Sequence, residues 1–551
     1  MVRFVSAFAL LCALASGQDV NVRNVMLPMR DGVKLSTDIY VPNAPGRYPV
    51  LVTRSPYNKD GERRRALFFA QHGYVFVAQD CRGRYASEGV LYPLINEDRD
   101  GYDTIEWAAA QSWSNRKVGT TGASYLAMDQ YAAAILQPPH LVAMYAAVGS
   151  QNYYQDAGYR GGIPSLGWPV WILLSAATDP SADAATRDRL SALVKQPEPW
   201  LRESREQRAR VFENFAAQKR VYDDFYAHPN FDSYWKQPGF DTADYYGRMK
   251  DVPTLFLSGW YDSFADATIR NYATLSGLQK TEKRLIMGPW PHGYGKSLCG
   301  DAEFGPAADL DENALVLDWF DHSMKGSPSR VLGPEAVRYF RMGGKGGRDA
   351  NGHLTPGGEW KTAAAWPPGA SHPKRLYISA NGRLAGEAPL DEVADKYHYD
   401  PNSPVHTNGG RHGPECIQNQ IVQRPDILTY ISEPLPADLD VTGMARVTLW
   451  VVTDAPSTDF TVKLIDVYPD GYAAILLEEA LRVGRQGSGP HPIDISLGST
   501  SNLFTKGHRI RLDVSSSSFP KLEPNPNPAN NSIYHDAKHA SYLQLPVSAP
   551  R

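Results

Sequence analysis

Three short stretches hold side chains that could carry out nucleophilic chemistry. Lys117 to Ala127 reads as a β-branched strand, a tight turn starting at Gly122, Ser124 at the apex, and a helix opening with small residues. A strained strand-to-helix turn of that kind lifts a serine hydroxyl above the sheet edge and aims the first helical N–H at a developing oxyanion. The same pattern also serves as an ordinary helix N-cap, so the turn alone leaves both roles open. Serine is a poor nucleophile until a base lies within hydrogen-bond reach and a carboxylate orients that base. Asp262, in Gly259-Trp260-Tyr261-Asp262-Ser263-Phe264, and His292, in Gly288-Pro289-Trp290-Pro291-His292-Gly293, each directly follow an apolar run. Ser, Asp and His arriving in that order after successive strands is one of the arrangements in which such a triad is assembled. Asp262 by itself would also fit an N-cap for a helix starting near Ala265. A second oxyanion donor belongs in the loop after an early strand. Tyr57, behind a rigid proline in Thr53 to Lys59, offers a phenol there to complement the N–H of Tyr125, and would equally fit as a packed turn residue.

The elements that must position these groups are legible in the pattern of apolar residues. A hairpin around Asp31-Gly32 comes first. Pro49 to Thr53, Tyr74 to Ala78, Lys117 to Thr121, Val142 to Val148, Thr254 to Ser258 and Arg284 to Met287 are apolar runs expected of strands covered on both faces. Helical segments are read near Ala66 to His72, Asp98 to Ala110, Ala265 to Leu278 and Ala314 to Met324, the last stopped by Gly326. The fold class is α/β, with a mostly parallel sheet and helices on both faces. Residues 152–246, aromatic and helical with Trp168, Trp171 and Trp200, read as a cap inserted over the carboxyl edge of the sheet, with Arg202 to Arg220 as a solvated helix face. A separate helical domain is the alternative. Beyond Gly326 the period changes to short alternating strands, among them Ala336 to Phe340, Arg446 to Val452, Phe460 to Leu464 and Arg509 to Val514. These predict an all-β jelly roll. The boundaries are 1–17 signal peptide, 18–151 first part of the α/β domain, 152–246 cap, 247–330 second part, and 331–551 jelly roll.

Composition narrows the partners. A chain of 551 residues exceeds what one core supports. A net charge of -4 with no basic run leaves nothing to neutralise a phosphate backbone, so no nucleic acid is expected. Met1-Val2-Arg3, an apolar run from Phe4 to Leu14 and Ala15-Ser16-Gly17 describe a cleavable signal peptide, too short to span a bilayer. Leu11 before Cys12 argues against a lipoprotein site, so a secreted or periplasmic protein with no membrane span is expected. Cys81, Cys299 and Cys416 are too few and too widely spread for a disulfide framework or a metal site, although Cys299 and Cys416 could pair in an oxidising compartment. No cofactor or metal is called for. The expected partner is a small-molecule ester or amide, and a homo-oligomer stays open.

Taken together, Arg54-Ser55-Pro56-Tyr57, Gln79-Asp80-Cys81-Arg82-Gly83-Arg84, Gly122-Ala123-Ser124-Tyr125, Gly259-Trp260-Tyr261-Asp262 and Gly288-Pro289-Trp290-Pro291-His292 resemble the CocE/NonD hydrolases. That family includes cocaine esterase, glutaryl-7-aminocephalosporanic acid acylase, α-amino acid ester hydrolases and, more distantly, X-prolyl dipeptidyl aminopeptidases. Ser515 to Pro520 fits the family's C-terminal domain, and the likeness covers nearly the whole chain after the leader. It implies Ser124 as nucleophile, His292 as base, Asp262 as its orienter, and Tyr57 with the N–H of Tyr125 as oxyanion hole. Asp80 and Arg82 look like a structural pair. Two positions depart from the family. Ala127 stands where glycine is usual, which implies altered packing with activity retained. Phe264-Ala265 stands where members selecting a free α-amino group carry paired carboxylates. With Trp168 and Trp171 this implies a pocket for neutral or aromatic acyl groups, because a cationic amine would go unpaired there. Asp266 keeps the amino-ester reading alive. The expected activity is ester hydrolysis through an acyl-enzyme. An X-Pro peptidase or β-lactam acylase with the same triad competes with it, as does, in another class, a glycan-binding protein without catalysis.

Overall fold

The structure, a computed structural model, describes residues 20–369, 371–390, 394–408, 416, 418–420, 423–487 and 489–548. The signal peptide expected at 1–17 lies outside the described residues. The N-terminal sheet starts with a hairpin, β1 (Val20–Pro28) and β2 (Lys34–Pro42), turned at Asp31-Gly32 with Gly32 in the left-handed region at φ 88°. It continues with β3 (Tyr48–Ser55), β4 (Val75–Asp80), β5 (Ser114–Ala123), β6 (Leu141–Ala147), β7 (Thr254–Gly259), β8 (Lys283–Gly288), β9 (Val337–Gly343) and β10 (Gly358–Ala363). The spatial order is β1-β2-β4-β3-β5-β6-β7-β8-β9-β10, parallel from β4 through β9 and antiparallel at both edges. Every residue of β4 and β7 is buried, as a strand covered by helices on both faces requires. Helices Arg63–Gln71, Glu97–Ala110, Tyr125–Ile135, Ala265–Leu278 and Glu312–Lys325 supply that cover, and the last stops at Gly326 with φ 75°.

The sheet does not end where the sequence pattern suggests a new domain. β9 reads in the sequence as a sandwich strand, yet its Val337 pairs in parallel with Leu285 of β8, while its far end pairs with Asn502 and Leu503 of the C-terminal domain. Periodicity reports which face is buried, not which neighbour buries it. The C-terminal domain itself packs two antiparallel layers. Strands Ser371–Ser379, Tyr542–Ser548, Leu439–Thr453 and His491–Phe504 form one, and Leu428–Ser432, Arg509–Ser515, Ser457–Val467 and Ala473–Gly484 the other. Ile510, Leu512 and Val514, read as one face from alternation, sit together in the core between the layers.

The cap differs from the expectation in one respect. Arg202 to Arg220 is not a solvated helix face: the chain there breaks into Arg205–Ala209 and Ala216–Ala227, and Arg208 is only 2% exposed. Arg205 and Arg208 both pair with Glu523 of the C-terminal domain, a carboxylate more than 300 residues away that no local pattern announces. The cap hairpin, Tyr159–Arg160 with Ile163–Pro164, is also stitched to that domain. Arg482 N–H donates to Gly161 O at 2.8 Å, Glu523 N–H to Pro164 O at 2.9 Å, and Leu166 N–H to Lys521 O at 3.0 Å. Cys299, in the loop after β8, is disulfide-bonded to Cys416, with Cα atoms 5.3 Å apart, while Cys81 is a buried thiol. No helix among the described residues is long and apolar enough to cross a membrane.

Inside the C-terminal domain Glu478 is buried with Lys463 at 3.1 Å and Lys521 at 3.7 Å, and accepts from Ser518 at 2.5 Å and Thr407 at 2.9 Å. Burial alone would raise its pKa, but the two ammonium groups and the hydroxyls outweigh burial and hold it at about 2. A depressed carboxylate stabilises the fold above the ordinary glutamate pKa of 4.5 and loses that stabilisation as pH falls toward about 2. Glu478→Gln should therefore cost on the order of 3 kcal/mol at pH 7, since it leaves two buried lysines short of a counter-charge. Denaturant melts from pH 7 to pH 3 check this: the difference between native and variant narrows as the pH drops.

Candidate active site

β3, β5, β7 and β8 run parallel, so the loops at their carboxyl ends open on one edge of the sheet. Ser124 follows β5 at φ 60° and ψ -121°, a strained conformation for a residue with a Cβ. It is held because its N–H donates to Ala147 O of β6 at 2.9 Å while its carbonyl starts helix Tyr125–Ile135. The helix packs tightly: a Cβ on Gly149 would approach Ala127 Cβ to 2.8 Å. The methyl of Ala127, the departure from the family pattern, is thus housed in space that residue 149 leaves empty.

Asp262 and His292 come from neighbouring loops that are bonded to each other. Trp260 N–H donates to Gly288 O at 2.9 Å and Tyr261 N–H to Trp290 O at 3.0 Å. A side chain at Gly259 would strike the Trp290 carbonyl at 2.1 Å, so the Gly-Trp-Tyr-Asp motif needs its glycine for this close approach. The result is one contact chain: Ser124 Oγ lies 2.9 Å from His292 Nε2, and His292 Nδ1 lies 2.7 Å from Asp262 Oδ2. The Asp262 carboxylate, with no side-chain exposure, also accepts the Phe264 N–H at 2.5 Å. An ionised carboxylate only accepts, so Nδ1 carries the ring proton and Nε2 is left to accept from the serine hydroxyl. Asp262 is not the N-cap of the following helix, a position held by Phe264.

The two oxyanion candidates stand beside the serine. Tyr125 N–H, at the first helical position, has no acceptor within its own helix by geometry. Its side chain is buried, donating to Glu97 Oε1 at 2.7 Å and accepting the Leu94 N–H at 2.9 Å, and Glu97 is in turn paired with Arg54 at 2.5 Å. Tyr57 is 41% exposed, and Trp171 Nε1–H donates to its hydroxyl at 2.9 Å. Desolvation pushes its pKa up to about 12, against the lowering effect of the Trp171 bond, so the phenol remains a donor at any working pH.

These groups open into a cavity of about 310 Å³, in which Phe264, Trp168 and Trp171 all appear, as the sequence suggests. Trp168 and Trp171 stack at 4.9 Å, Trp171 lies parallel to Tyr125 at 6.0 Å, and Phe264 meets the His292 ring edge-on at 5.6 Å. Asp156 and Arg160 line the cavity too and went unrecognised, because their roles depend on partners far along the chain. Arg160 bonds Glu479 and Ser263 O, both at 2.6 Å. Asp156 meets Arg270 at 2.5 Å and accepts from Ser150 and from the N–H groups of Gln151 and Asn152. Two expectations are corrected. Asp266 does not reach this cavity: it lines a separate cavity against the C-terminal domain and accepts the Ser499 N–H at 2.9 Å. Asp80 and Arg82 are not a pair, since Arg82 reaches Asp100 at 2.7 Å and Asp31 at 2.8 Å, while Asp80 accepts the Lys59 N–H. Among the described residues, Cys81, Glu97 and Asp129 form a buried trio with ligand-type atoms within 4.8 Å of one another. Arg54 already supplies the positive charge there.

Comparison with known proteins agrees with the motifs. Residues 31–294 match the X-Pro dipeptidyl-peptidase (S15 family) model, and residues 330–544 match that of the X-Pro dipeptidyl-peptidase C-terminal non-catalytic domain. The chain is similar to the cocaine esterase of Rhodococcus sp. (strain MB1 Bresler), 31% identical, with 95% of this chain and 98% of that one covered. In fold it is similar to a solved α-amino acid ester hydrolase, with TM-score 0.77, 23% identity, and 99% and 98% of the chains covered. It is also similar to a CocE/NonD family hydrolase from Staphylococcus aureus, with TM-score 0.71, 20% identity, and 96% and 94% covered.

The raised pKa of Tyr57 has a kinetic consequence. Its donor form persists until the pH approaches about 12, so turnover of a neutral ester should stay level from about pH 8 to about pH 10. A descending limb in that range that disappears in Tyr57→Phe would contradict this.

Proposed function

The chain belongs to the CocE/NonD family of serine hydrolases, and from that premise we propose that it is an exported esterase that works through an acyl-enzyme on Ser124. The observation that carries this reading is the unbroken contact from Ser124 Oγ through His292 to Asp262, 2.9 Å and 2.7 Å, at the floor of an aromatic cavity. Ser124 Oγ attacks the ester carbonyl as His292 Nε2 takes its proton, and Asp262 stabilises the imidazolium so formed. The carbonyl oxygen, now negative, receives hydrogen bonds from the Tyr57 hydroxyl and the Tyr125 N–H. Collapse breaks the bond to the alcohol oxygen, which leaves with the proton from His292. Water then gives a proton to His292, attacks the acyl carbon, and releases the acid as the proton returns to Ser124.

The acyl group is neutral or aromatic. Trp168, Trp171 and Phe264 offer flat apolar walls, while Ala265, expected beside Phe264 in the pocket, lines with Asp266 the separate cavity against the C-terminal domain. One observation favours the second reading, an X-Pro peptidase or acylase: the Asp156 carboxylate lines the cavity. Its charge is matched by Arg270 at 2.5 Å, and this places the ester reading first. Export is supported by the leader-like segment before Gln18 and by the disulfide between Cys299 and Cys416, a bond that persists in oxidising compartments.

A fluorophosphonate should label the protein once, with the adduct on Ser124, and Ser124→Ala should abolish both labelling and turnover. Aryl benzoates should be cleaved at least about a hundredfold faster in kcat/KM than an X-Pro anilide. The reverse preference would replace the ester reading with the peptidase one, and no labelling would remove the triad. Expressed with its leader in a secreting host, the mature protein should have the intact mass of a chain lacking residues 1–17, and retention of those residues would refute export.

A further inference from the structure

We propose that Trp171, delivered by the cap, is a positioning residue of the oxyanion hole: its indole N–H fixes the direction in which Tyr57 presents its proton. This rests on the esterase reading above and goes beyond it, because it makes the cap part of the catalytic apparatus as well as a wall of the substrate cavity.

A phenol oxygen carries one proton and can also accept, and the proton prefers to lie in the ring plane, on one side or the other. An indole N–H can only donate. With Trp171 Nε1 at 2.9 Å from the Tyr57 hydroxyl, the oxygen must accept on that side, so its proton is directed away from Trp171. Tyr57 and Ser124 line the same cavity, so a proton turned from the indole is available to that space. The incoming bond also polarises the O–H, which strengthens its own donation to a developing anion.

The geometry depends on Trp171 being held in register with the loop that carries Tyr57, and a second set of contacts provides this. Arg84 is 2% exposed and spans the two segments. Its Nε–H donates to Pro56 O at 2.8 Å, directly before Tyr57, while Nη1 reaches Ser175 O at 3.2 Å and Nη2 reaches Thr178 Oγ1 at 2.7 Å. Ser175 and Thr178 lie four and seven residues beyond Trp171, at the carboxyl end of cap helix Gly167–Ala177, where a cation is favourable. Stacking of Trp171 on Trp168 and Tyr125 sets the tilt of the indole. The Tyr57 loop, the cap helix and the indole therefore move as one piece.

The test is a double-mutant cycle on kcat for an aryl ester, using Trp171→Phe, Tyr57→Phe and the pair. Trp171→Phe keeps a ring in the stack and removes the donor. It should lower kcat about tenfold and change KM by no more than about twofold, while Tyr57→Phe lowers kcat about a hundredfold. In the Tyr57→Phe background, Trp171→Phe should cost less than about twofold, because there is no phenolic proton left to direct. Full additivity, or a loss confined to KM, would overturn the proposal and leave Trp171 a pocket wall. An unchanged kcat in Tyr57→Phe would instead remove Tyr57 from the mechanism. Should Trp171→Phe disturb folding, β-(3-benzothienyl)alanine at position 171 keeps the shape and replaces the N–H by sulfur. It should reproduce the tenfold loss, and native kcat in that variant would likewise overturn the proposal.

Discussion

The backbone at Ser124 sits in a region of φ and ψ that a side-chain-bearing residue avoids, and everything around it serves to hold it there. Such a conformation is stable only where its neighbours over-determine it. Here β5 enters from below, Ala147 of β6 accepts the serine N–H, and a fully buried helix leaves above. Relaxing that turn would move the hydroxyl away from His292 and rotate the Tyr125 N–H away from the same point in space. One strained residue thus aligns the Ser124 hydroxyl and the Tyr125 N–H together.

Around this point the three parts of the chain do different work. The α/β sheet contributes Ser124, Asp262, His292 and Tyr57 through loops on one edge. The cap contributes aromatic walls and a bond to Tyr57. Among the described residues, the C-terminal domain reaches the site indirectly: Glu479 holds Arg160, and Arg160 holds the carbonyl of Ser263, next to Asp262. The buried pair of Arg54 and Glu97 plays a similar supporting part under Tyr125. Positioning in this enzyme is done by charges that lie one residue removed from the reacting atoms.

The site was legible in the sequence where chemistry and local grammar coincide. Ser124, Asp262, His292 and Tyr57 each follow an apolar run within a few residues, so strand assignment alone brought them to one edge. Trp168 and Trp171 were legible because large aromatics cluster in the insertion over the sheet edge, and Phe264 because the resemblance marks that position as part of the pocket. What escaped were residues defined by remote partners. Nothing near Arg208 announces Glu523, nothing near Asp266 announces the Ser499 amide, and Arg82 stands two residues from Asp80 yet turns to Asp31 and Asp100. Arg84 stood in a recognised motif, but its role needed the cap helix to be placed first. β9 escaped for a related reason, since a short strand looks the same whichever sheet receives it.

The shared strand β9 also bears on how the molecule could be recombined. Because Val337–Gly343 is paired at one end with β8 and at the other with His491–Phe504, the cleft's scaffold and the β-sandwich share one strand. A graft of a foreign sandwich onto this scaffold therefore has to rebuild one of the two edges: a seam before Val337 asks a foreign strand to pair with β8, and a seam after β10 asks one to pair with the far end of β9.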